Sequence, residues 1–206
     1  HQPADPTDEG RAMANAIDYI VDGNIGDDRG YYGSRDNSRM YGHGITTLML
    51  AEMTGMGRDE EQDQKLRERC GKAIDIILQA QQTEKSIEHQ GGWRYQPDAR
   101  DSDLSVTVWQ LMALRSAKNS GMQVPSTAID KAINYLQICY HSDRHADGTP
   151  KKSVAGFSYQ RGRQPEFAST AAGVLALQVS GAYHCPEVTG ACEYLLTKEK
   201  PNPQKN

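Results

Sequence analysis

A repeated pattern with a period of about 60 residues constrains the fold of this chain more than any other feature of its sequence. Three segments align without gaps, and each carries one aromatic residue near its start: Tyr32, Trp93 and Phe157. These aromatics are 61 and 64 residues apart, and the same offsets bring three leucines into register: Leu50, Leu111 and Leu175. A chain with such self-similarity builds its structure from one unit that is used several times.

A second set of segments lies between the first ones and repeats with almost the same period. Its four copies cover residues 16–20, 73–77, 132–136 and 191–195, and their starts are 57, 59 and 59 residues apart. Two interleaved sets with one shared period indicate a single repeated unit that has two elements.

The second set has the apolar spacing of amphipathic helices. In one copy the apolar residues recur every three or four positions: Leu66, Cys70, Ile74 and Ile77. The opposite side of the same segment carries Asp75 and Gln79, so we predict outer helices with one face in water. Start signals precede two of these helices, at residues 6–9 (Pro-Thr-Asp-Glu) and 125–126 (Pro-Ser).

The helices of the first set are apolar on nearly every side. They cover residues 45–51, 106–114 and 171–177. A helix without a polar face is normally enclosed by other protein, so we predict buried inner helices with Leu175 in the core. Three glycines follow these helices and are expected to end them as C-caps: Gly55, Gly121 and Gly181.

The predicted fold class is all-α, with repeated helical hairpins in two layers. Each hairpin has an outer amphipathic helix, a loop with an aromatic residue and an inner helix. We place the hairpins at about 9–57, 62–122 and 126–182, followed by a last outer helix at 186–197, within a single domain that spans 1–206. The array is expected to form a partial or complete α/α toroid.

Two stretches of the chain resemble the repeat of squalene-hopene cyclases and of protein prenyltransferase β subunits. One joins residues 91–93 (Gly-Gly-Trp) to the helix at 105–114, and the other joins 155–157 (Ala-Gly-Phe) to the helix at 169–177. The resemblance extends over residues 9–196. It implies an α/α toroid of the terpenoid-cyclase and prenyltransferase type, a fold also found in alpha-macroglobulin thioester domains and in carbohydrate-active enzymes.

The catalytic motifs of these families are incomplete or missing in this chain. Class II terpene cyclases resemble one another in an Asp-x-Asp-Asp motif, whereas residues 101–104 read Asp-Ser-Asp-Leu. Prenyltransferases bind zinc through Asp, Cys and His, and the sequence lacks any Asp-x-Cys string. At the place of the alpha-macroglobulin motif Gly-Cys-Gly-Glu-Gln, residues 42–46 read Gly-His-Gly-Ile-Thr. We therefore expect no cofactor.

Asp101, Asp103 and His43 are the candidate catalytic residues, because they lie in loops that lead into predicted inner helices. Two carboxylates in a partly apolar pocket raise the pKa of one of them, which suits a general acid. The alternative is that Asp103 caps the helix, while Asp101 pairs with Arg100 or faces solvent. His43, which is flanked by glycines, is either a base or ligand or a hydrogen-bonded structural histidine.

The candidate substrate-binding residues are five aromatics and one arginine: Trp93, Tyr95, Tyr159, Trp109, Tyr41 and Arg161. Such rings suit a sugar or isoprenoid cleft, but aromatics at repeat-equivalent positions more often support their own hairpins. Arg161 and Arg163 would clamp an anion, and the alternative is a solvated charged loop. Residues 141–148 lack the ligand pattern of a calcium loop, so no metal site is assigned.

Composition narrows the classes of partner. The net charge is −4 and no basic block occurs, which argues against nucleic acid. No apolar run approaches the roughly 18 residues that a transmembrane helix needs. The chain starts at His1 without Met or a signal peptide, which suggests a mature form or a piece of a longer protein. Cys70 and Cys139 are expected to be buried thiols, while a disulfide between Cys185 and Cys192 remains open.

Two hypotheses of function follow from these residues. The first is a non-catalytic repeat module of a larger, exported or cell-envelope protein, which binds a protein, glycan or lipid partner. The alternative is an enzyme that acts on an isoprenoid or polysaccharide substrate, with Asp101 or Asp103 as general acid. A central pocket on which both acids and His43 converge would favour the enzyme. The compartment and the oligomeric state are left open by the sequence.

Overall fold

The computed structural model describes residues 1–22 and 25–197, and this part of the chain forms helices, loops and four isolated β-bridges. Its seven helices are α1 Asp8–Val21, α2 Arg39–Met53, α3 Glu60–Gln81, α4 Leu104–Asn119, α5 Ser126–Cys139, α6 Phe167–Val179 and α7 Pro186–Thr197. The predicted all-α class is confirmed. Within the described ranges, no helix has the combined length and apolar character of a membrane span.

Helices α1, α3 and α4 each begin at a side chain that caps the helix. The Thr7 hydroxyl accepts a hydrogen bond from the Gly10 N–H at the start of α1, and acids occupy the first turn of this helix. Asp59 caps α3 through the Gln62 N–H at 2.8 Å. In α5 the start signal is Pro125 itself, which makes no side-chain cap.

Two of the three predicted C-cap glycines end their helices, since the Gly121 N–H donates to the Lys118 carbonyl and the Gly181 N–H to the Gln178 carbonyl. The prediction is wrong for Gly55, because α2 ends at the extended Thr54 and the Gly55 N–H donates to Asp63. Gly55, Gly121 and Gly181 follow α2, α4 and α6 within two residues, with φ angles of 86°, 85° and 95°. Glycine adopts this left-handed backbone without the steric cost that a Cβ imposes. The ends of α4 and α6 are therefore set locally by the sequence.

Helix α4 is the centre of the fold, since it contacts α2, α3, α5 and α6. Its most extensive contact is with α2, where Gly44 allows a close approach: a Cβ at this position would lie 2.4 Å from Nε2 of Gln110. Gln110 uses the space to donate to the carbonyl of Met40 at 2.7 Å. The inner helices α2, α4 and α6 therefore form a row, with α1 against α3 and α7 against α6.

The outer helices bury the predicted stripe. In α3, Leu66, Cys70 and Ile77 are fully buried and Asp75 is exposed. Each large aliphatic side chain buried in this way contributes about 2 kcal/mol to the free energy of unfolding. Cys139 is buried as expected.

The two remaining cysteines are not bridged. Cys185 is half-buried, Cys192 is exposed, and both carry free thiols. The disulfide that the sequence left open is therefore not formed in this structure.

The predicted enclosure is wrong for two of the inner helices, α2 and α6, whereas residues 104–117 of α4 are buried or half-buried. Leu175 is 47% exposed and Ile45 is 45% exposed, although both lie on helices that are apolar all round. The outer helices cover these helices from one side only, and no described part of the chain covers the other side at these two residues.

The gapless alignment contributed to this error. The N-caps of α4 and α6 are Asp103 and Glu166, which are 63 residues apart, whereas the loop aromatics before them are 64 apart. In the helices, the buried Leu111 therefore corresponds to the buried Val174 and not to Leu175.

Candidate functional site

The loops that enter α4 and α6 are fastened to their helices by the same hydrogen bonds. The Trp93 N–H donates to the Thr107 hydroxyl, and the Phe157 N–H donates to the Thr170 hydroxyl, both at 3.0 Å. Each threonine hydroxyl in turn lies 2.7 Å from the carbonyl oxygen of its helix N-cap. Because both aromatic rings are buried, each loop is held in place by its contacts with the core.

His43, near the start of helix α2, takes the place of these threonines in the first hairpin. Its Nδ1 accepts from the Tyr32 N–H at 3.3 Å, and its Nε2 lies 3.0 Å from the Ala73 carbonyl, to which it donates. Burial lowers the pKa of His43 to about 4, so the ring is neutral at pH 7. Both ring nitrogens are used by the backbone, so the structure places this candidate base or ligand in the core.

Trp93 also has a structural role in the core. Its side chain is fully enclosed, and the indole Nε1–H donates to the Ile77 carbonyl of α3 at 2.8 Å. The indole therefore closes the loop against an outer helix, which is the supporting role that the sequence left as one alternative. It lines no exposed cleft.

A cluster of charged and aromatic side chains lies at the starts of the inner helices. We name it the Arg94 cluster, and it consists of Arg94, Tyr95, Asp101, Asp103 and Tyr159. The guanidinium carbon of Arg94 is 4.6 Å from the ring centroid of Tyr95 and 5.5 Å from that of Tyr159, which is the range of cation–π contacts. The two tyrosine hydroxyls are hydrogen-bonded at 2.5 Å. The arginine is thus held between two linked rings.

The two acids of this cluster have different environments. Asp103 is fully buried, and its Oδ1 accepts from the Val106 N–H at 2.9 Å and from the Ser105 hydroxyl at 2.7 Å. Its Oδ2 accepts from Arg94 at 3.2 Å. The side chain of Asp101 is 46% exposed and its Oδ2 lies 3.4 Å from Nε of Arg94. Asp103 is therefore the helix cap that the sequence offered as an alternative, and Asp101 pairs with Arg94 instead of Arg100.

Tyr41 connects the cluster to helix α2. Its hydroxyl is hydrogen-bonded to Ser105, and its ring lies 5.9 Å from that of Tyr95. Burial raises the pKa of Tyr41, and burial together with the hydrogen bond to Tyr95 raises the pKa of Tyr159. Both hydroxyls are therefore protonated at neutral pH and bonded within the protein.

The inner helices α2 and α4 share a common register. The Met40 N–H donates to the carbonyl of Tyr95 at 3.1 Å, and the Leu104 N–H donates to that of Tyr159 at 2.9 Å. Met40 thus corresponds to Leu104, and each inner helix is tied to the loop of the following hairpin. Residues at the same distance from Met40 in α2 and from Leu104 in α4 are therefore equivalent.

Apolar side chains at corresponding positions of α2, α4 and α6 remain half-buried or exposed. We name this surface the open face: Ile45, Leu48, Trp109, Met112, Ala172 and Leu175. Because α4 contacts both α2 and α6, corresponding positions of these three helices lie on the same side of the row. Ser105 is one helical turn before Trp109, so the Arg94 cluster borders this face.

The predicted site residues are thus divided among several places. Tyr41, Tyr95, Tyr159 and both acids meet in or beside the Arg94 cluster, and Trp109 lies on the open face. Arg161 is exposed and lines a separate groove at the start of the loop after α5.

Sequence reasoning missed Arg94 and Ser105. A signal for Arg94 was present, because the Trp93-Arg94-Tyr95 string aligns with Phe157-Ser158-Tyr159 and the arginine breaks the match. A residue type that occurs in only one repeat is not required by the shared scaffold, so it can belong to a functional site. For Ser105, only the contacts with Tyr41 and Asp103 reveal its position.

No metal centre is evident in residues 1–22 and 25–197, where no group of three or more His, Cys, Asp and Glu side chains is placed to hold an ion. The Arg94 cluster and the open face can therefore be described by their own hydrogen bonds, charges and apolar surface. Compared with known proteins, this chain matches no family model, no curated protein and no solved structure.

Proposed function

We propose that this chain is a non-catalytic module of repeated α/α hairpins, of the squalene-cyclase and prenyltransferase type, that binds a protein partner on its open face. The hydrogen bonds that recur between Trp93 and Thr107 and between Phe157 and Thr170 support the repeat. A two-layer array whose inner layer is uncovered forms an arc of a toroid, and its inner side is available to a partner.

The composition of the uncovered surface carries this proposal. Trp109, Met112 and Leu175 leave apolar area in contact with water, and Arg94 stands at the border between two tyrosines. Trp, Tyr, Met and Arg are the residue types enriched in protein interfaces, and Trp, Tyr and Arg supply most of the binding free energy. Contiguous apolar surface bordered by polar groups marks such interfaces.

A protein partner fits this surface better than a glycan. A sugar needs free hydrogen-bond donors and acceptors around its stacking ring. Here the hydroxyls of Tyr41, Tyr95 and Tyr159 already bond to other side chains of the protein. An apolar peptide segment with an acidic residue toward Arg94 makes use of both the face and its border.

The contacts of Asp103 favour binding over acid catalysis. Its carboxylate accepts hydrogen bonds from a backbone N–H, a hydroxyl and a guanidinium, and the side chain is fully buried. A general acid must present a proton to a substrate atom within hydrogen-bond reach. Because Asp103 caps the helix and has no access to solvent, it holds the neighbouring groups in position.

Peptide selection tests the proposal directly. A random library of short displayed peptides is selected against the wild-type protein, and the affinity of each selected peptide is measured by calorimetry. We expect Trp109→Ala and Leu175→Asp each to weaken binding by about tenfold or more, because central aromatic and apolar contacts dominate interfaces. Ile87→Asp is the matched control, since Ile87 is a 78% exposed apolar residue outside the open face.

Leu175→Asp and Ile87→Asp should melt close to the wild type, because both side chains are exposed. Trp109→Ala should melt at a lower temperature, because most of the indole is buried, so its affinity is measured at a temperature at which the variant is folded. Selected peptides that bind Trp109→Ala and Leu175→Asp as tightly as the wild type would contradict the proposed face. A glycan array run in parallel separates the alternatives: a glycan whose binding is lost in Trp109→Ala would replace the protein partner with a carbohydrate.

A further inference from the structure

A groove of about 500 Å³ opens beside the C-terminal end of α5 and the loop that leads to α6. Four side chains with positive charge or the capacity for it line the groove: His141, Arg144, Lys152 and Arg161. Asp143 is the acidic residue in the lining, and the half-buried Ile138 provides apolar surface. None of these residues belongs to the open face or to the Arg94 cluster.

Backbone hydrogen bonds hold the loop around this groove in shape. The His141 N–H donates to the carbonyl of Gly156 at 3.0 Å, and the Lys151 N–H donates to that of Asp143 at 2.8 Å. The Lys152 N–H also donates to the Ser142 hydroxyl at 2.8 Å. The charged side chains therefore project from a folded loop, which reduces the entropy that a ligand must overcome on binding.

Arg144 forms a fixed wall of the groove. Its guanidinium donates to Oε1 of the buried Glu187 at 2.6 Å, to the carbonyl of Gly148 at 2.7 Å and to the carbonyl of Gln137. Glu187 balances the charge of Arg144, so Arg144 is occupied by the protein itself.

The charges of Lys152 and Arg161 are not balanced by an ion pair within residues 1–22 and 25–197. Among the described residues, neither has an acidic group within ion-pair distance. Residues 140–165 contain five Lys or Arg and two Asp or Glu, a net charge of +3 in a chain of net charge −4, which leaves −7 for the remainder. Positive charge is thus concentrated at the groove against the overall balance.

We propose that this groove binds a small molecule that carries a phosphate monoester, with Arg161 and Lys152 contacting the phosphate. Arg and Lys are the residues that proteins use to bind phosphate, and a phosphate monoester carries close to two negative charges at pH 7. The volume of the groove lies in the range of small-molecule sites. Ile138 then contacts the uncharged part of the ligand.

Calorimetric titration with two phosphate monoesters and their uncharged parents tests this site. The probes are adenosine monophosphate and glucose 6-phosphate, compared with adenosine and glucose. We expect at least one phosphate monoester to bind about tenfold or more tightly than its parent, and inorganic phosphate to compete with it. Arg161→Gln and Lys152→Gln should each weaken that binding by about tenfold.

Arg163→Gln is the matched control, because Arg163 is exposed on the same loop but does not line the groove. It should leave the affinity unchanged, and all three variants should melt like the wild type. Equal losses in Arg163→Gln and Arg161→Gln would show unspecific attraction to the charged loop and overturn the site. The absence of binding by either monoester, or binding only of anionic lipid vesicles or sulfated polysaccharide, would overturn it as well.

Discussion

The second and third hairpins use the same local scaffold but carry different charges on it. In both, a buried aromatic N–H is bonded to a threonine at 3.0 Å. Where the second hairpin has Arg94, the third has Ser158, whose buried hydroxyl donates to the Cys139 carbonyl at 3.0 Å. Asp103 caps α4, whereas Glu166 makes no capping bond to α6.

This comparison separates the residues that hold the loops onto the helices from the residues that form the candidate site. The bonds that the hairpins share fix the loops onto the helices. The charges of the Arg94 cluster come from residues that only the second hairpin has, Arg94, Asp101 and Asp103, whereas its two rings come from the shared tyrosine position of both hairpins. The first hairpin adds a third version, in which His43 replaces the threonine. Substitutions at the shared positions should lower the free energy of unfolding by similar amounts in both hairpins. Substitutions at the unshared positions should have an effect in one hairpin only.

The largest effect is expected from the loop aromatics. Trp93→Ala and Phe157→Ala should each lower the free energy of unfolding by about 3 to 5 kcal/mol, because each removes a fully buried ring and leaves a cavity. Urea unfolding followed by circular dichroism measures both. Ile87→Ala, at an exposed position, is the control. If one of the two core variants lost less than about 1 kcal/mol, the two hairpins would not be equivalent.

A pH-dependent loss of stability is expected from His43. Its pKa is about 4 in the folded protein, against 6.5 for a histidine in water, because burial disfavours the charged ring. The unfolded chain therefore binds a proton between these two values that the folded protein does not, and acid favours unfolding. The free energy of unfolding should fall by about 2 kcal/mol on going from pH 7 to about pH 4.5 because of this residue.

His43→Thr tests this assignment, because threonine is the residue that the other two hairpins use at this place. Urea unfolding of wild type and variant at both pH values measures the effect. The variant should lose this part of the pH dependence. An unchanged pH dependence in His43→Thr would assign the acid sensitivity to other groups.

The threonines should have a smaller but parallel effect. Thr107→Val and Thr170→Val keep the side-chain shape but leave the N–H of Trp93 or Phe157 without an acceptor in the core. An unsatisfied buried donor costs about 1 to 3 kcal/mol. Thermal and urea unfolding of both variants should give similar losses. A clear loss in only one of them would mean that the shared bond matters in only one hairpin.

The smallest effect is expected from the unshared helix caps. Asp103→Ala should cost about 1 to 2 kcal/mol, because it removes a helix cap and also leaves Arg94 and Ser105 without this partner. Asp103→Asn should stay closer to the wild type, because Asn caps a helix as well as Asp does. Glu166→Ala should cost less than about 0.5 kcal/mol, since Glu166 caps nothing through its side chain. Equal losses in Asp103→Ala and Glu166→Ala, measured by urea unfolding, would remove the difference between the two hairpins.

Part of the candidate site could be predicted because it depends on local signals. Asp103 stands before an apolar helix, which is the position of a cap, and Tyr95 and Tyr159 recur at equal distances from the loop aromatics. The partner of Asp101 could not be predicted in this way. Arg94 lies seven residues before Asp101, and only the folded loop brings the two side chains together.

Local signals in the sequence were sufficient to predict which segments are helices, where α4 and α6 end and which stripe of α3 is buried. Capping groups, glycines with positive φ and apolar spacing act within a few residues, so they need no tertiary contact. The tertiary structure alone decided that Leu175 and Ile45 face solvent and that His43 lies in the core. A helix that is apolar on every side carries no signal for the side that its neighbours cover, and this choice depends on the packing of distant segments.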